Sequence, residues 1–125
     1  MARITVVNDY PDFIDMMTSI LDEMAGHEVT GLDASEATVE DLAATRPDLL
    51  IVDFATADLV FGIGAAALGL VPTIVCSGDI PALRELAEEF GDVGTVYALE
   101  KPFTLEMLTD VVERALYKAA PARVA

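Results

Sequence analysis

Four polar residues of this sequence each follow a short apolar run of the kind that forms a buried β-strand: Asp9, Asp53, Ser77 and Lys101. The clearest case is Leu49–Val52, four large apolar residues followed directly by Asp53. Such a run suits a strand buried on both faces of a parallel sheet, which has no packing reason to end in a charge. Taken alone, Asp53 is equally well explained as the cap of a turn. The other three strand ends favour a site.

The chemistry of these four side chains suits the transfer of a phosphoryl group. Two neighbouring carboxylates, Asp9 and Asp53, repel each other unless a divalent cation lies between them, which predicts a site for Mg²⁺ or its substitute Mn²⁺. Lys101 supplies a positive charge and Ser77 a hydroxyl, and both suit phosphoryl oxygens. Asp53 is then the nucleophile that takes up the phosphoryl group as an acyl phosphate.

The segments that must position these residues alternate between strands and helices. Strands are predicted at Ile4–Val7, His27–Leu32, Leu49–Asp53, Thr73–Cys76 and Thr95–Leu99, each followed by a helix. This alternation predicts an α/β fold, a doubly wound five-stranded parallel sheet with helices on both faces. Because ligands bind to such sheets at the carboxyl ends of the strands, the four polar residues should converge on one edge.

Two of the predicted helices have a clear apolar face. The first has Pro11 in its first turn, ends at Gly26, and should bury the residues that recur at spacings of three and four: Phe13, Met16, Met17, Ile20, Leu21 and Met24. The last has Thr104 as its N-cap and should bury Leu105, Leu108, Val112, Ala115 and Leu116. Both helices are therefore expected to pack against the sheet.

Composition narrows the classes of function. The 125 residues suit one domain, expected at residues 1–120 with a loose tail at 121–125. A formal net charge of −15 argues against direct nucleic-acid binding and favours a protein partner or a cation. The only cysteine, Cys76, lies in an apolar run and is expected to be a small buried residue, and the lack of a signal peptide favours the cytoplasm. Leu59–Cys76 carries no charge, but its glycines and Pro72 argue against a membrane span.

Four short motifs, in this order, resemble those of the receiver domains of bacterial two-component response regulators: Val6-Val7-Asn8-Asp9, Leu50-Ile51-Val52-Asp53, Ile74-Val75-Cys76-Ser77 and Lys101-Pro102-Phe103. The resemblance covers essentially the whole chain. It implies a flavodoxin-like sheet of strand order 2-1-3-4-5 and a stand-alone domain that a histidine kinase or a phosphotransfer protein phosphorylates on Asp53. A downstream protein target would read this state, so the domain would be a phosphoacceptor and not an enzyme.

The resemblance also implies a role for each site residue. Asp9 and Asp53 would hold Mg²⁺ together with the backbone carbonyl of Ala55. Ser77 would move to the phosphoryl group as the switch, and Lys101 would pair with it.

Several positions depart from the family pattern. Asn8 replaces an acidic residue and could orient a metal-bound water, and Phe54–Ala57 replaces the usual loop after the acceptor. Ala98 stands where the family has an aromatic switch residue; Tyr97 is one place off, and such a shift points a strand side chain to the other face. The family's Lys-Pro bond is commonly cis, which predicts the same before Pro102.

One segment suggests an interaction surface. Leu59–Leu70 carries no charged residue, whereas a helix that covers a sheet normally has a polar outer face. We therefore hypothesise that a helix over this segment is a docking or homodimerisation surface. The alternative is a helix of small residues that is packed more deeply than usual.

Three other functions compete with the phosphoacceptor. A pseudo-receiver, which binds proteins without phosphorylation, is favoured by Asn8, Ala98 and the altered loop after Asp53. A haloacid-dehalogenase-like phosphatase would need a second acid two residues after its nucleophile, where this chain has Ala55. A carrier of flavin mononucleotide would need a phosphate-cradling glycine-rich loop after the first strand, which the sequence lacks.

Overall fold

The computed structural model describes residues 2–53, 71–79 and 96–119, together with positions 81, 84, 85 and 88. Over these residues the chain forms one parallel sheet of five strands: β1 (Arg3–Asn8), β2 (Glu28–Asp33), β3 (Leu49–Asp53), β4 (Thr73–Ser77) and β5 (Val96–Glu100). Their order in the sheet is β2-β1-β3-β4-β5. The predicted doubly wound sheet and its strand order are confirmed, with strand bounds that differ by one residue at most ends.

The described helices connect and cover these strands. Helix α1 (Pro11–Thr18) continues as a π-helical segment (Ser19–Met24), α2 is Val39–Ala44, and α3 is Leu105–Ala119. Positions 81, 84, 85 and 88 are also helical, after β4, where the alternation of strands and helices predicts a helix. The predicted helix over Leu59–Leu70 lies outside the described residues. No helix in the described ranges is both long enough and apolar enough to cross a membrane.

Successive residues of each strand pack on opposite faces of the sheet. One face, which we call the α1–α3 face, joins Ile4, Ile51 and Ile74 to Met17 and Leu21 from the first helix and Leu108 and Val112 from α3. The other face packs Val7, Leu50, Val52 and Val75 against Leu42 of α2. Because both faces of the central strands are covered, most of their residues are apolar until the strands reach the edge of the sheet, where polar side chains can meet water.

Local sequence signals fix where the helices begin. Pro11 occupies the first turn of α1, as predicted. Thr38 and Asp41 form a reciprocal capping box at the start of α2. The Oγ1 of Thr104 accepts a hydrogen bond from the Met107 N–H at 3.1 Å, which confirms Thr104 as the cap of α3.

Three residues predicted to be buried are exposed: Met16, Met24 and Leu105. Met24 lies three positions after the buried Leu21, but the intervening turn is π-helical. A π-helical turn takes more residues than an α-helical one, so this spacing no longer keeps two side chains on one face. Met16 and Leu105 instead line a surface groove between α1 and the segment after β5.

Candidate functional site

The strand register brings the predicted site residues to one edge of the sheet. Strands β1 and β3 pair up to Val7 and Val52, so Asn8 and Asp53 follow side by side. Asp53 in turn pairs with Cys76 of β4. The carboxyl ends of parallel strands therefore form a continuous polar rim at this edge.

The far side of the rim is formed by the ends of β4 and β5. Ser77 pairs with Glu100, and the Lys101 N–H then donates to the Ser77 carbonyl oxygen at 2.9 Å. The Lys101–Pro102 bond that follows is cis, as predicted. These contacts attach the backbone of Lys101 directly to the end of β4.

Asn8 and Asp9, the two polar residues at the end of β1, differ in their surroundings. The Asn8 side chain is buried, and its Oδ1 accepts a hydrogen bond from the Tyr10 N–H at 2.9 Å. Asn8 thereby shapes the turn that leads into α1, as asparagine commonly does. Asp9, the next residue, is exposed at the tip of β1. Of the two, Asp9 presents its carboxylate to solvent.

The Ser77 hydroxyl can donate a hydrogen bond at the rim. Its side chain is nearly buried, and its Oγ accepts a hydrogen bond from the Asp79 N–H at 3.0 Å. A hydroxyl that accepts one hydrogen bond still has its own proton to donate. The Ser77 hydroxyl can therefore donate to an anionic oxygen without leaving its strand end.

The Lys101 ammonium rests on an aromatic ring of α1. Its Nζ lies 5.0 Å from the centroid of the Phe13 ring, within the range of a cation–π contact. Both residues line a groove of about 610 Å³. Its other lining side chains come from α1 and the π-helical segment that continues it, from the segment after β5, and from the start of α3: Met16, Ile20, Pro102, Phe103 and Leu105. The edge of the sheet thus continues into an apolar groove beside the ammonium.

Cys76 lies among the charged groups of the rim. Burial raises the pKa of its thiol from 9.0 to about 12, the positive charge of Lys101 opposes that rise, and the negative charge of Asp53 adds to it. The prediction of a small buried residue is confirmed. The register explains why both charges act on this thiol: Asp53 pairs with Cys76, and the Lys101 N–H is bonded to Ser77, the next residue of β4.

The predicted metal site is only partly covered by the described residues. Asp9 and Asp53 stand at neighbouring strand ends, and carboxylate oxygens are the donors that Mg²⁺ prefers. Ala55, whose carbonyl the resemblance implies as a ligand, lies outside the described residues, as does the segment hypothesised to dock or dimerise. Over the residues described, no group of three or more His, Cys, Asp or Glu side chains is arranged to hold a metal ion. Binding of Mg²⁺ stays a prediction.

The aromatic residue near the end of β5 faces away from the expected switch position. Tyr97 packs against the core of the α1–α3 face, and burial raises the pKa of its hydroxyl. Ala98, the next residue, is exposed. The predicted difference in direction between these two neighbours is confirmed, because side chains alternate along a strand.

One side chain at this edge was not predicted to belong to it. Phe13 matched the apolar face of the first helix, and it does pack partly against the core. Its ring contacts Lys101, which lies 88 positions later in the chain. The sequence feature that could indicate this contact is an aromatic residue in the first turn of the helix that follows a polar strand end.

Comparisons with known proteins give a consistent picture. No family model matches the chain, and no curated protein matches it at a significant level. The NtrX structure from Brucella abortus, in complex with ADP, is 30% identical over 98% of this chain, which spans only 28% of NtrX, with a TM-score of 0.78. The chemotaxis protein CheY4 of Vibrio cholerae is 25% identical over 93% of this chain and 99% of its own, with a TM-score of 0.70.

A third similar structure supports the fold alone. It is a response regulator receiver domain protein from Clostridium thermocellum, 18% identical over 98% of this chain and 99% of its own, with a TM-score of 0.76. The resemblance drawn from the four sequence motifs is thereby confirmed at the level of the fold and of its structural neighbours.

Proposed function

Because this chain is a response regulator receiver domain in its fold and in its strand-end residues, we propose that Asp53 accepts a phosphoryl group from a histidine kinase or a phosphotransfer protein. The observation that carries the proposal is the rim itself. Asp53 pairs with Cys76 of β4, and Ser77 is the next residue of β4. The positive charge of Lys101 acts on the Cys76 thiol and lowers its pKa. A nucleophile, a cation and a hydroxyl donor are thus gathered at one edge, as phosphoryl transfer requires.

The proposed transfer is a single displacement at phosphorus. An Asp53 carboxylate oxygen forms the new P–O bond while the P–N bond of the donor phosphohistidine breaks, and the freed imidazole nitrogen takes up a proton. The Lys101 ammonium balances negative charge on the phosphoryl oxygens, and the Ser77 hydroxyl donates to one of them. A Mg²⁺ ion held by the Asp9 and Asp53 carboxylates would supply further charge compensation.

The partner is proposed to be a protein that tolerates an acidic surface. The chain carries 22 acidic residues against 7 lysines and arginines, so a partner surface with basic residues would be favoured by complementary charge. A downstream protein target would read the phosphorylated state by contact. We expect the domain to work in the cytoplasm, as a phosphoacceptor without turnover of its own beyond self-catalysed phosphorylation and dephosphorylation.

The test is phosphorylation by a small donor. The full chain is incubated with Mg²⁺ and acetyl phosphate, whose P–O bond breaks to release acetate, and the intact mass is then measured. We expect the mass of one added phosphoryl group in the wild type and none in Asp53→Asn. Asp33→Asn, the same substitution at the end of β2, is the matched control and should still be phosphorylated.

A pseudo-receiver is the second candidate, and two observations favour it. The Asn8 amide oxygen is already bonded within its own turn, and Ala98 offers no aromatic group to report a movement of Ser77. If the wild type gains no mass with acetyl phosphate or with any histidine kinase of its own cell, the phosphoacceptor proposal is wrong. The pseudo-receiver would then be the better description.

A further inference from the structure

The contact between Lys101 and Phe13 is anchored from both sides. The Phe13 N–H donates to the Tyr10 carbonyl oxygen at 3.1 Å, which places the ring in the first turn of α1. The Lys101 N–H donates to the Ser77 carbonyl oxygen at 2.9 Å, which fixes the start of the lysine side chain at the rim. Only the flexible stem of Lys101 remains to set where its ammonium lies.

The position of the ring favours the ammonium electrostatically. The face of an aromatic ring carries negative charge density, and a cation within about 6 Å of the centroid is attracted to it. Phe13 is half-buried against the core, and Pro102 and Phe103 line the same groove, so the contact is partly shielded from water. Shielding strengthens such a contact compared with a fully exposed pair.

We propose that Phe13 is a positioning residue for Lys101: its ring holds the ammonium on the α1 side of the rim until a phosphoryl group on Asp53 draws it away. The second half of this statement rests on the proposed function. In this proposal the ring and the phosphoryl oxygens compete for one ammonium, so a phosphoryl group on Asp53 draws Lys101 off the face of Phe13. Phe13 therefore biases the domain toward the unphosphorylated arrangement.

The size of this bias follows from the contact. A partly exposed cation–π contact changes an equilibrium by about twofold to fivefold. Replacing Phe13 by Leu removes the π face but keeps an apolar side chain against the core. Replacing it by Tyr keeps both the face and the packing. Phe13→Leu and Phe13→Tyr are thus a matched pair that separates the role of the ring face from the role of packing.

The first experiment does not involve phosphorylation. Aromatic ring currents shift nearby protons upfield, so the ε-methylene protons of Lys101 should resonate upfield in the wild type and in Phe13→Tyr. In Phe13→Leu this shift should be lost, and a Lys101→Met variant identifies the resonance. An unshifted Lys101 signal in the wild type, or one that is the same in Phe13→Leu, would overturn the positioning role.

The second experiment measures the competition. Beryllofluoride with Mg²⁺ imitates a phosphoryl group on a carboxylate, and its dissociation constant can be followed by calorimetry. We expect Phe13→Leu to bind it about twofold to fivefold more tightly than the wild type, and Phe13→Tyr to match the wild type. In a Lys101→Met background Phe13→Leu should have no effect, since the ammonium for which the two groups compete is gone.

The outcomes of the two experiments are distinguishable. Equal affinity in the wild type and Phe13→Leu, or tighter binding that persists without Lys101, overturns the competition. A wild type that neither binds beryllofluoride nor gains a phosphoryl group overturns the proposed function and the competition with it. The ring-current shift would still decide whether Phe13 positions Lys101.

Discussion

The thiol of Cys76 should be almost unreactive in the folded domain. Burial, with a smaller contribution from the Asp53 charge, raises its pKa from 9.0 to about 12 against the opposing charge of Lys101. Each pKa unit lowers the thiolate population tenfold at a pH below both values, and the thiolate is the reactive form. At about pH 8 the folded chain should therefore contain roughly a thousandfold less thiolate than the unfolded chain. The side chain is also only 1% exposed, so a reagent must wait for the strand end to open.

The assay is the reaction of the thiol with a chromogenic disulfide, followed by absorbance with and without urea. We expect the folded chain to react at least about a thousandfold more slowly than the unfolded chain, from the loss of thiolate alone. Cys76→Ser should give no signal, since Cys76 is the only cysteine. Labelling of the folded chain within tenfold of the unfolded rate would refute the burial and the pKa together.

Charge variants at the rim sharpen the same measurement. Asp53→Asn removes a charge that raises the pKa of Cys76, so the folded variant should react faster than the wild type. Lys101→Met removes a charge that lowers it and should slow the reaction. The unfolded variants should react alike, which is the control for reagent behaviour. Changes of the same sign in the two folded variants would refute the proximity of both charges to the thiol.

Two other predictions concern α1 and the amino-terminal end of the sheet. A Cβ at Gly31 would collide with the Cγ2 of Ile14, so Gly31→Ala should lower the free energy of unfolding, measured in urea, by about 1–3 kcal/mol. The loss should be smaller in an Ile14→Ala background, which removes the colliding atom. Gly78→Ala is the control and should be tolerated, because an added Cβ there meets no close neighbour. His27 accepts a hydrogen bond at Nδ1 from the Ala2 N–H, and burial, followed by the charge of the amino terminus, lowers its pKa below 6.5. The folded state thus favours the neutral imidazole, so its contribution to stability is present above about pH 6.5 and is lost as the pH falls through the folded pKa. Between about pH 7 and pH 5, His27→Gln should therefore lose less unfolding free energy than the wild type. Equal losses in the two proteins would contradict the assignment.

Much of the fold was predictable because burial leaves a strong pattern. Strand β3 is apolar throughout since both of its faces are covered, and Asp53 marks the point where that cover ends. The cap of α3 at Thr104 was predictable for a similar reason, as an N-cap needs only a local side-chain acceptor. The π-helical segment after Thr18 was not, because its sequence suits an ordinary helix, so Met24 was wrongly placed in the core.

The candidate site, like the fold, has features that local sequence predicts and features that depend on tertiary packing. The sequence by itself determined which residue types stand at the strand ends, because apolar runs and the polar residues that stop them are local properties. Only the tertiary structure decided that Lys101 lies on the ring of Phe13, that the Asn8 amide closes its own turn, and that Cys76 feels two opposite charges. These contacts depend on strand register and on how α1 docks, which arise from packing between residues distant in the chain.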